Sequence, residues 1–518
     1  MFSLTSSPGL ASLAWGLPSG WSPLLAVEGL AVRRPFGALN WCVVAVYLGA
    51  MVLIGFWFSR RGRSTNDYFR GGQRIPWWVA GLSIFATMLS ALTFMGIPAR
   101  AYATDVSWYL GQLPILLVVP AVVWFYLPHF RRLDITSAYE YLEDRFNLAS
   151  RLFASLSFML FHIGRIALVL YLPALALAQV GSIDVIPCIL IIGALCVLYT
   201  VMGGIEAVVW TDAIQAVVLL GGALLCLVLV FARVEGGVAG VWSTSVQDAK
   251  LFQNLTSSLD LRDGTQSWWV IFLAFSFNVL VPYTSGQDVV QRYVTTSDEA
   301  QARRSLWTTM WMSVFGSMIF FALGVALYAF YKAHPDLLDP AVAGNDAILP
   351  FFILQQLPAG VAGLLVAAIF AASQSTVSSS LNSVATAYVT DIHARLLQPD
   401  APDHRKLVVA RWVVVALGVV GIGVACVMAK SQIESAFKTF NTMIGLTAGA
   451  MGGLFGLGIF NRRANGTGAI WGALVSFGTV VTLHLCRVPV SGLLYAFIGF
   501  ATCFVVGSVV SLGGVRLD

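Results

Sequence analysis

The chain has 518 residues, 58% of them hydrophobic and only 11% charged, and carries a net charge of +5. A soluble globular protein of this length needs far more polar residues to cover its surface, so the composition excludes a soluble enzyme and points to an all-α polytopic membrane protein. The positive charge is scattered over short loops, which offers no basic face for nucleic acid.

Residues 1–36 are rich in Gly, Pro and Ser. They lack a basic start followed by a compact apolar run and read as a poorly ordered N-terminal extension rather than a signal peptide. Apolar runs of about 20 residues then recur to the end of the chain, each long enough to cross a bilayer as a helix. The first is near 41–58 and is followed by Arg60, Arg61, Arg63, Arg70 and Arg74. That basic cluster marks the cytoplasmic side and places the N-terminus outside. Spans follow near 77–102, 108–130, 152–180, 185–202 and 207–231, with an amphipathic stretch at 136–147. The interruption at 236–266 is too short for a separate soluble domain. The seventh span, near 268–285, ends in PYTSGQD, a poor helix sequence, and Arg292, Arg303 and Arg304 mark the inside again. Spans near 308–331, 361–391, 407–428, 437–460, 470–484 and 490–512 complete a count of about thirteen, which puts the C-terminus in the cytoplasm. A single transmembrane domain over 37–514 results. The cysteines, Cys42, Cys188, Cys196, Cys226, Cys426, Cys486 and Cys503, lie in or beside apolar runs without C-x-x-C spacing. They read as small core residues.

The ninth span holds AASQSTVSSSLN, Ala371–Asn382. On a helix Ala372, Ser375, Thr376 and Ser379 form one stripe, with Ser378 beside it. Hydroxyl oxygens without fixed charge suit a hard, weakly held cation; equally, small residues let membrane helices pack closely. Charged groups at depth default to function. Arg165 lies mid-span in FHIGRIALVLYL, and its fork matches a carboxylate bidentately. It requires either a buried acid, Asp212 or another, or an anionic ligand. Asp212 opens the sixth span as a cation ligand or as a helix-end cap near the cytoplasmic surface. His162 reads as a packing residue, and Asp288, closing the broken seventh span, as an interfacial, solvated one. In the second span, unwinding near the middle would free carbonyls at Ala86 and Leu89, although no Gly or Pro forces it.

Seven stretches carry a family resemblance: DYFRGGQRIPWW (67–78), IPARAYATD (97–105), ITSAYEYLEDRF (135–146), RLFASLSFMLFHIGR (151–165), YTVMGGIEAVVWTDAIQ (199–215), QDVVQRY (287–293) and AIFAASQSTVSSSLNS (368–383). From about Trp41 to Phe500 the chain resembles the sodium/solute symporter family and, within it, the bacterial sodium/sialic acid symporters; LFHIGR with the double serine cluster points to that branch. The resemblance implies a LeuT-like fold of five plus five inverted-repeat helices, with core repeats near 77–231 and 268–486, one helix before and two after. It implies a main sodium site at Ala86, Leu89, Ala372, Ser375 and Thr376, and a second at Asp212, Ser375, Ser378 and Ser379. Arg165 would hold the substrate carboxylate with Ser90, Thr93 and Gln112, with Phe275 and Trp108 flanking the sugar. Met88 and Ala91 depart from the pattern of that branch. The implied activity is two-sodium symport of sialic acid across the inner membrane of a bacterium, by a monomer that does no chemistry on its substrate.

Alternatives stay open: the same transport of another carboxylate such as proline, pantothenate or a small organic acid; a membrane enzyme, against which no H-E-x-x-H or G-x-S-x-G motif appears; and a sensor built on such a core.

Overall fold

The computed structural model describes residues 36–59, 64–180, 184–262, 266–339, 342, 346–431 and 436–513. The N-terminal extension before Phe36 and the arginines at 60, 61 and 63 lie outside the described residues. The long elements are all helical: α1 (Ala38–Ser59), α2 (Trp77–Met88), α3 (Ala91–Ala103), α4 (Ser107–Arg132), α5 (Leu148–Val180), α6 (Val185–Phe231), α7 (Trp268–Ser285), α8 (Gln287–Val294), α9 (Glu299–Ala333), α10 (Val361–Ala387), α11 (Asp403–Ser431), α12 (Ala436–Phe460), α13 (Gly466–Leu485) and α14 (Tyr495–Gly513). Among the described residues ten helices are long and apolar enough to cross a membrane, or eleven with the bent pair α2–α3 counted as one span. The sequence reading of about thirteen differs in two places. It divides α6 into two spans, and it counts α12, of which Thr447–Phe460 is the apolar stretch described.

Helix α6 shows why one continuous element holds two runs. Its 47 residues would reach about 70 Å if straight, more than twice the ~30 Å hydrocarbon thickness. Gly204 interrupts it with φ 58° and ψ −154°, a conformation open to glycine because it has no Cβ. A Cβ there would lie 2.8 Å from the Tyr68 carbonyl oxygen.

The core is arranged around α10. It touches α1, α2, α3, α5, α6, α8 and α11, and every residue of 365–387 is buried. A helix surrounded on every side needs short side chains, and Ala, Ser and Thr supply them. The hydroxyls can bond within the helix: Ser380 Oγ donates to the Thr376 carbonyl at 2.8 Å and Thr386 Oγ1 to the Asn382 carbonyl at 2.8 Å.

Two breaks face this helix. Between α2 and α3, Leu89 (φ −94°, ψ 94°) and Ser90 (φ −89°, ψ 172°) are extended, and the halves bend by 60°. No Gly or Pro causes this. The freed carbonyls are taken by other helices: Arg165 Nη2 donates to Thr87 O at 2.7 Å and Ser375 Oγ to Ala86 O at 3.0 Å. Unwound backbone at membrane depth persists only where such partners exist. The second break is Gly286, between α7 and α8, and every residue of α8 is buried. Arg292 is therefore not the cytoplasmic loop charge expected from sequence; it is 0% exposed.

Candidate functional site

A cavity of about 460 Å³ opens beside the α2–α3 break. This lies within the range of small-molecule sites. Arg165 of α5, Thr93 of α3, Gln112 and Trp108 of α4 and Phe275 of α7 all line it. Five of the six residues carried over for substrate thus meet in one wall. Ser90 is buried at the break, and its neighbours Leu89 and Leu92 form the wall instead. Trp108 and Phe275 pack edge to face with centroids 5.8 Å apart. Phe275 can reach this position because α4 presents Gly111 to it; a Cβ at Gly111 would lie 2.7 Å from the ring. Ser317 of α9 donates to Gln112 Oε1 at 3.2 Å, which orients that amide. The Arg100 guanidinium lies over the Trp108 ring at 4.5 Å, a cation–π contact.

Arg165 has a protein partner. Its Nη1 donates to Asp288 Oδ2 at 2.8 Å, while its Nε is buried without a hydrogen-bond partner. The acid required by sequence is thus Asp288 rather than Asp212. Asp288 is 2% exposed, which corrects its reading as a solvated interfacial residue. The cause is the Gly286 bend, which turns the start of α8 inward. His162 Nδ1 bonds Ser380 Oγ at 2.9 Å, and its Nε2 is 3.9 Å from Asp288 Oδ2. The packing residue read from sequence has an acid beside it, one helical break away from where local sequence looks.

Oxygens gather behind the break. Ser375 Oγ donates to Ala86 O at 3.0 Å and to Ala372 O at 3.3 Å, and Thr376 Oγ1 donates to Ala372 O at 3.3 Å. Four of the five residues assigned to a main sodium site therefore converge, and Leu89 caps α2 next to them. All of these oxygens are uncharged, and hydroxyls can turn a lone pair inward in place of their present bonds.

The second group centres on Asp212. It sits within α6, 0% exposed, not at a cytoplasmic helix end. Asp212 Oδ2 accepts from Ser83 Oγ at 2.7 Å and from Ser379 Oγ at 3.2 Å. Thr87 Oγ1 lies 3.0 Å from Ser379 Oγ. Ser378 Oγ donates to the Ser375 carbonyl at 3.3 Å. Arg292 Nη2 reaches Asp212 Oδ2 at 2.9 Å and also donates to Ser379, while its Nε donates to Ser83 Oγ at 2.7 Å. Asp212 Oδ1 is buried without a partner. An orphaned carboxylate oxygen amid hydroxyls has the chemistry of a cation ligand. Ser83, Thr87 and Arg292 were missed from sequence. The first two carried a signal, since their i, i+4 hydroxyl spacing repeats that of Ser375 and Ser379. Arg292 carried none.

Residues 68–476 match the model of the sodium:solute symporter family. The chain is 43% identical over 474 residues to the sodium/sialic acid symporter SiaT of Proteus mirabilis, covering 92% of this chain and 95% of that protein. It is also 43% identical to the sodium/sialic acid symporter NanT of Aliivibrio fischeri, over 92% of this chain and 93% of the relative. A solved substrate-bound, outward-open state of a Na+-coupled sialic acid symporter superposes with a TM-score of 0.88 at 41% identity, over 93% of this chain and 99% of that one. With its broken helices around α10 and its cavity at the break, the chain belongs to the sodium:solute symporter family.

Proposed function

We propose that this multi-pass membrane protein imports a sialic acid, N-acetylneuraminate or a close analogue, by symport with sodium. The observation that carries the reading is Arg165: a permanently charged fork lining a sugar-sized cavity and bonded to the Thr87 carbonyl, next in the chain to Ala86, which shares the oxygen cluster of Ala372 and Ser375. An acid sugar needs one fixed cation for its carboxylate and a mixed wall for its ring. Gln112, Thr93, Trp108 and Phe275 supply the mixture. The sialic acid symporters that share 43% identity with the chain support the same substrate class.

Sodium is a co-substrate in this reading. Ala86, Leu89, Ala372, Ser375 and Thr376 hold the main ion, and Asp212, Ser378 and Ser379 the second, with Ser375 between them. An ion between Ala86 on α2 and Ala372 on α10 ties the two helices together and so favours one arrangement of the break. Substrate and sodium need only prefer that same state to be coupled, by about 1–3 kcal/mol in each direction. The cavity reaches Arg100 and Thr104 at the far end of α3. That end is away from Arg70 and Arg395, so the cavity faces outward if the arginine-rich side is cytoplasmic. The reading places the protein in a bacterial inner membrane with the N-terminus outside.

The test is uptake of labelled N-acetylneuraminate into proteoliposomes with an inward sodium gradient, and with potassium in its place. Uptake that requires sodium and resists competition by proline supports the proposal. Sodium-dependent stabilisation of the protein without uptake retains the symporter and rejects the substrate.

A further inference from the structure

Four charged side chains are buried around the site, and they form two pairs: Arg165 with Asp288 at 2.8 Å, and Arg292 with Asp212 at 2.9 Å. The acid of the first pair and the base of the second are carried by one short helix, α8, four residues apart. Side chains at this spacing lie one above the other on a helix face, and Arg292 Nη1 already donates to the Asp288 carbonyl oxygen. The cavity arginine is therefore neutralised by a protein carboxylate before any anion arrives. Likewise, the Asp212 carboxylate is neutralised by a protein guanidinium before any cation arrives.

We propose that Asp288 and Arg292 are internal stand-ins for the two transported charges, and that loading exchanges the partners of both pairs at once. This rests on the reading of Arg165 as the anion anchor and Asp212 as a sodium ligand. In the loaded state sodium takes Asp212, the substrate carboxylate takes Arg165, and the released Asp288 and Arg292 pair with each other along α8. No bond is made or broken and the charge balances. Two ion pairs become three, with one cation and one anion added.

The physical warrant is the cost of an isolated buried charge. Substrate alone would leave two carboxylates competing for Arg165, because Arg292 is held by Asp212 and cannot turn to Asp288. Sodium alone would release Arg292 toward Asp288 and so loosen the hold of Asp288 on Arg165, which prepares the anion site. Each ligand thus removes the obstacle to the other, which is a coupling free energy with identified contacts in both states. His162, 3.9 Å from Asp288 through Nε2 and tied to Ser380 through Nδ1, is a further titratable side chain beside the exchange, with Tyr139 and Tyr283 near Asp288 and Tyr47, Cys196 and Tyr199 near Asp212.

The test is calorimetric titration of the purified full-length protein with N-acetylneuraminate, from sodium-free choline buffer to saturating sodium. In the wild type, affinity climbs with sodium. Asp288→Asn removes the internal competitor, so sodium-free affinity rises about tenfold and the further gain from sodium shrinks by the same factor, a coupling of ordinary size. Asp288→Glu restores the sodium dependence. Wild-type sodium-free affinity and sodium dependence in Asp288→Asn, or weaker binding at every sodium concentration, overturns the exchange.

A second arm uses no anion, and it decides the matter should Asp288→Asn fail to fold. Arg292→Lys keeps the charge but lacks the planar fork needed to reach Asp212, Ser83 and Ser379 together. The sodium concentration for half-maximal thermal stabilisation then falls by about fivefold, the lower end of ordinary coupling. An unchanged or raised concentration overturns the proposal. Wild-type protein that binds no N-acetylneuraminate at any sodium concentration rejects the substrate assignment instead, and the sodium-only arm still tests the exchange.

Discussion

Arg165 is the residue on which most of the substrate reading depends, and its environment changes how its role should be tested. Arg165→Ala removes the anchor but also strands Asp288, and breaking a buried pair costs about 3–5 kcal/mol. A loss of uptake in that variant would mix function with folding. Combining Arg165→Ala with Asp288→Asn removes both charges. We expect the double variant to recover most of the thermal stability lost in the single one, while labelled acid-sugar uptake stays down by about 100-fold, the scale of losing a charge-assisted bidentate contact. Uptake in the double variant above a tenth of wild type would rule out the carboxylate anchor. Thr376→Ala tests the main cation site, since its hydroxyl bonds the Ala372 carbonyl within the same oxygen cluster. The half-saturating sodium concentration of uptake should rise by roughly tenfold, about the worth of one hydrogen-bonding ligand; an unmoved sodium curve would leave the stripe with packing alone.

At the scale of elements, the breaks are the functional features and their causes differ. Gly111 lets the start of α4 approach Phe275. Gly111→Ala should push that ring into the cavity and weaken substrate binding while leaving sodium-dependent stabilisation in place, as read by titration and thermal unfolding. The Gly204 interruption of α6 is different, because its φ of 58° disfavours any Cβ. On the arginine-rich side, the short helix Glu140–Arg145 closes a clasp. Glu143 accepts from Arg395 Nη2 at 2.7 Å and from Arg151 Nη1 at 2.7 Å, and Arg151 also holds Asp391. The Arg395 hydrogen bond, with that of Arg151, lowers the Glu143 carboxyl below its usual value. A lowered carboxyl stabilises the fold fully above the ordinary carboxylate range near ~4.3 and loses that contribution as pH falls through the depressed value. Glu143→Gln should therefore lower the unfolding temperature most at neutral pH, with the difference from wild type shrinking as pH falls through the depressed value, so that the acid side of the profile is flatter.

At the scale of the whole molecule, the chain is a set of helices around one hydroxyl-rich axis, α10, with charged groups held inside in opposite pairs. Pairing of this kind lets a membrane protein carry buried charges such as Arg165 with Asp288, Arg292 with Asp212 and Arg151 with Asp391 at an acceptable cost. The proposed orientation has a direct test. A cysteine at Thr104, at the open end of the cavity, should react with an impermeant maleimide applied outside intact cells, and one at Asp403 only after the membrane is opened. The reverse pattern would invert the topology. Because the substrate carboxylate carries one negative charge, Asp212→Asn should lower the net charge moved per substrate from one to zero if its carboxylate holds the second sodium. An unchanged ratio in a reversal-potential measurement would place the second ion elsewhere.

Much of this was legible in the sequence because it is local. Apolar runs of membrane length and the hydroxyl period of α10 are patterns along one strand of chain, and among the described residues they map onto helices. The same holds for the placement of Arg165 mid-span and for the stretches that matched a family. What only the tertiary structure decided concerns contacts between elements far apart in the chain. The α2–α3 break has no Gly or Pro; it exists because Arg165 and Ser375 take the carbonyls it frees. Asp288 and Arg292 looked like loop charges because QDVVQRYV is a polar sequence beyond the end of a span. Gly286 turns it into the core, where each charge finds its opposite on another helix. A charge in a sequence carries no sign of its partner, because the energy that keeps it buried comes from a residue about 80 or 120 positions away.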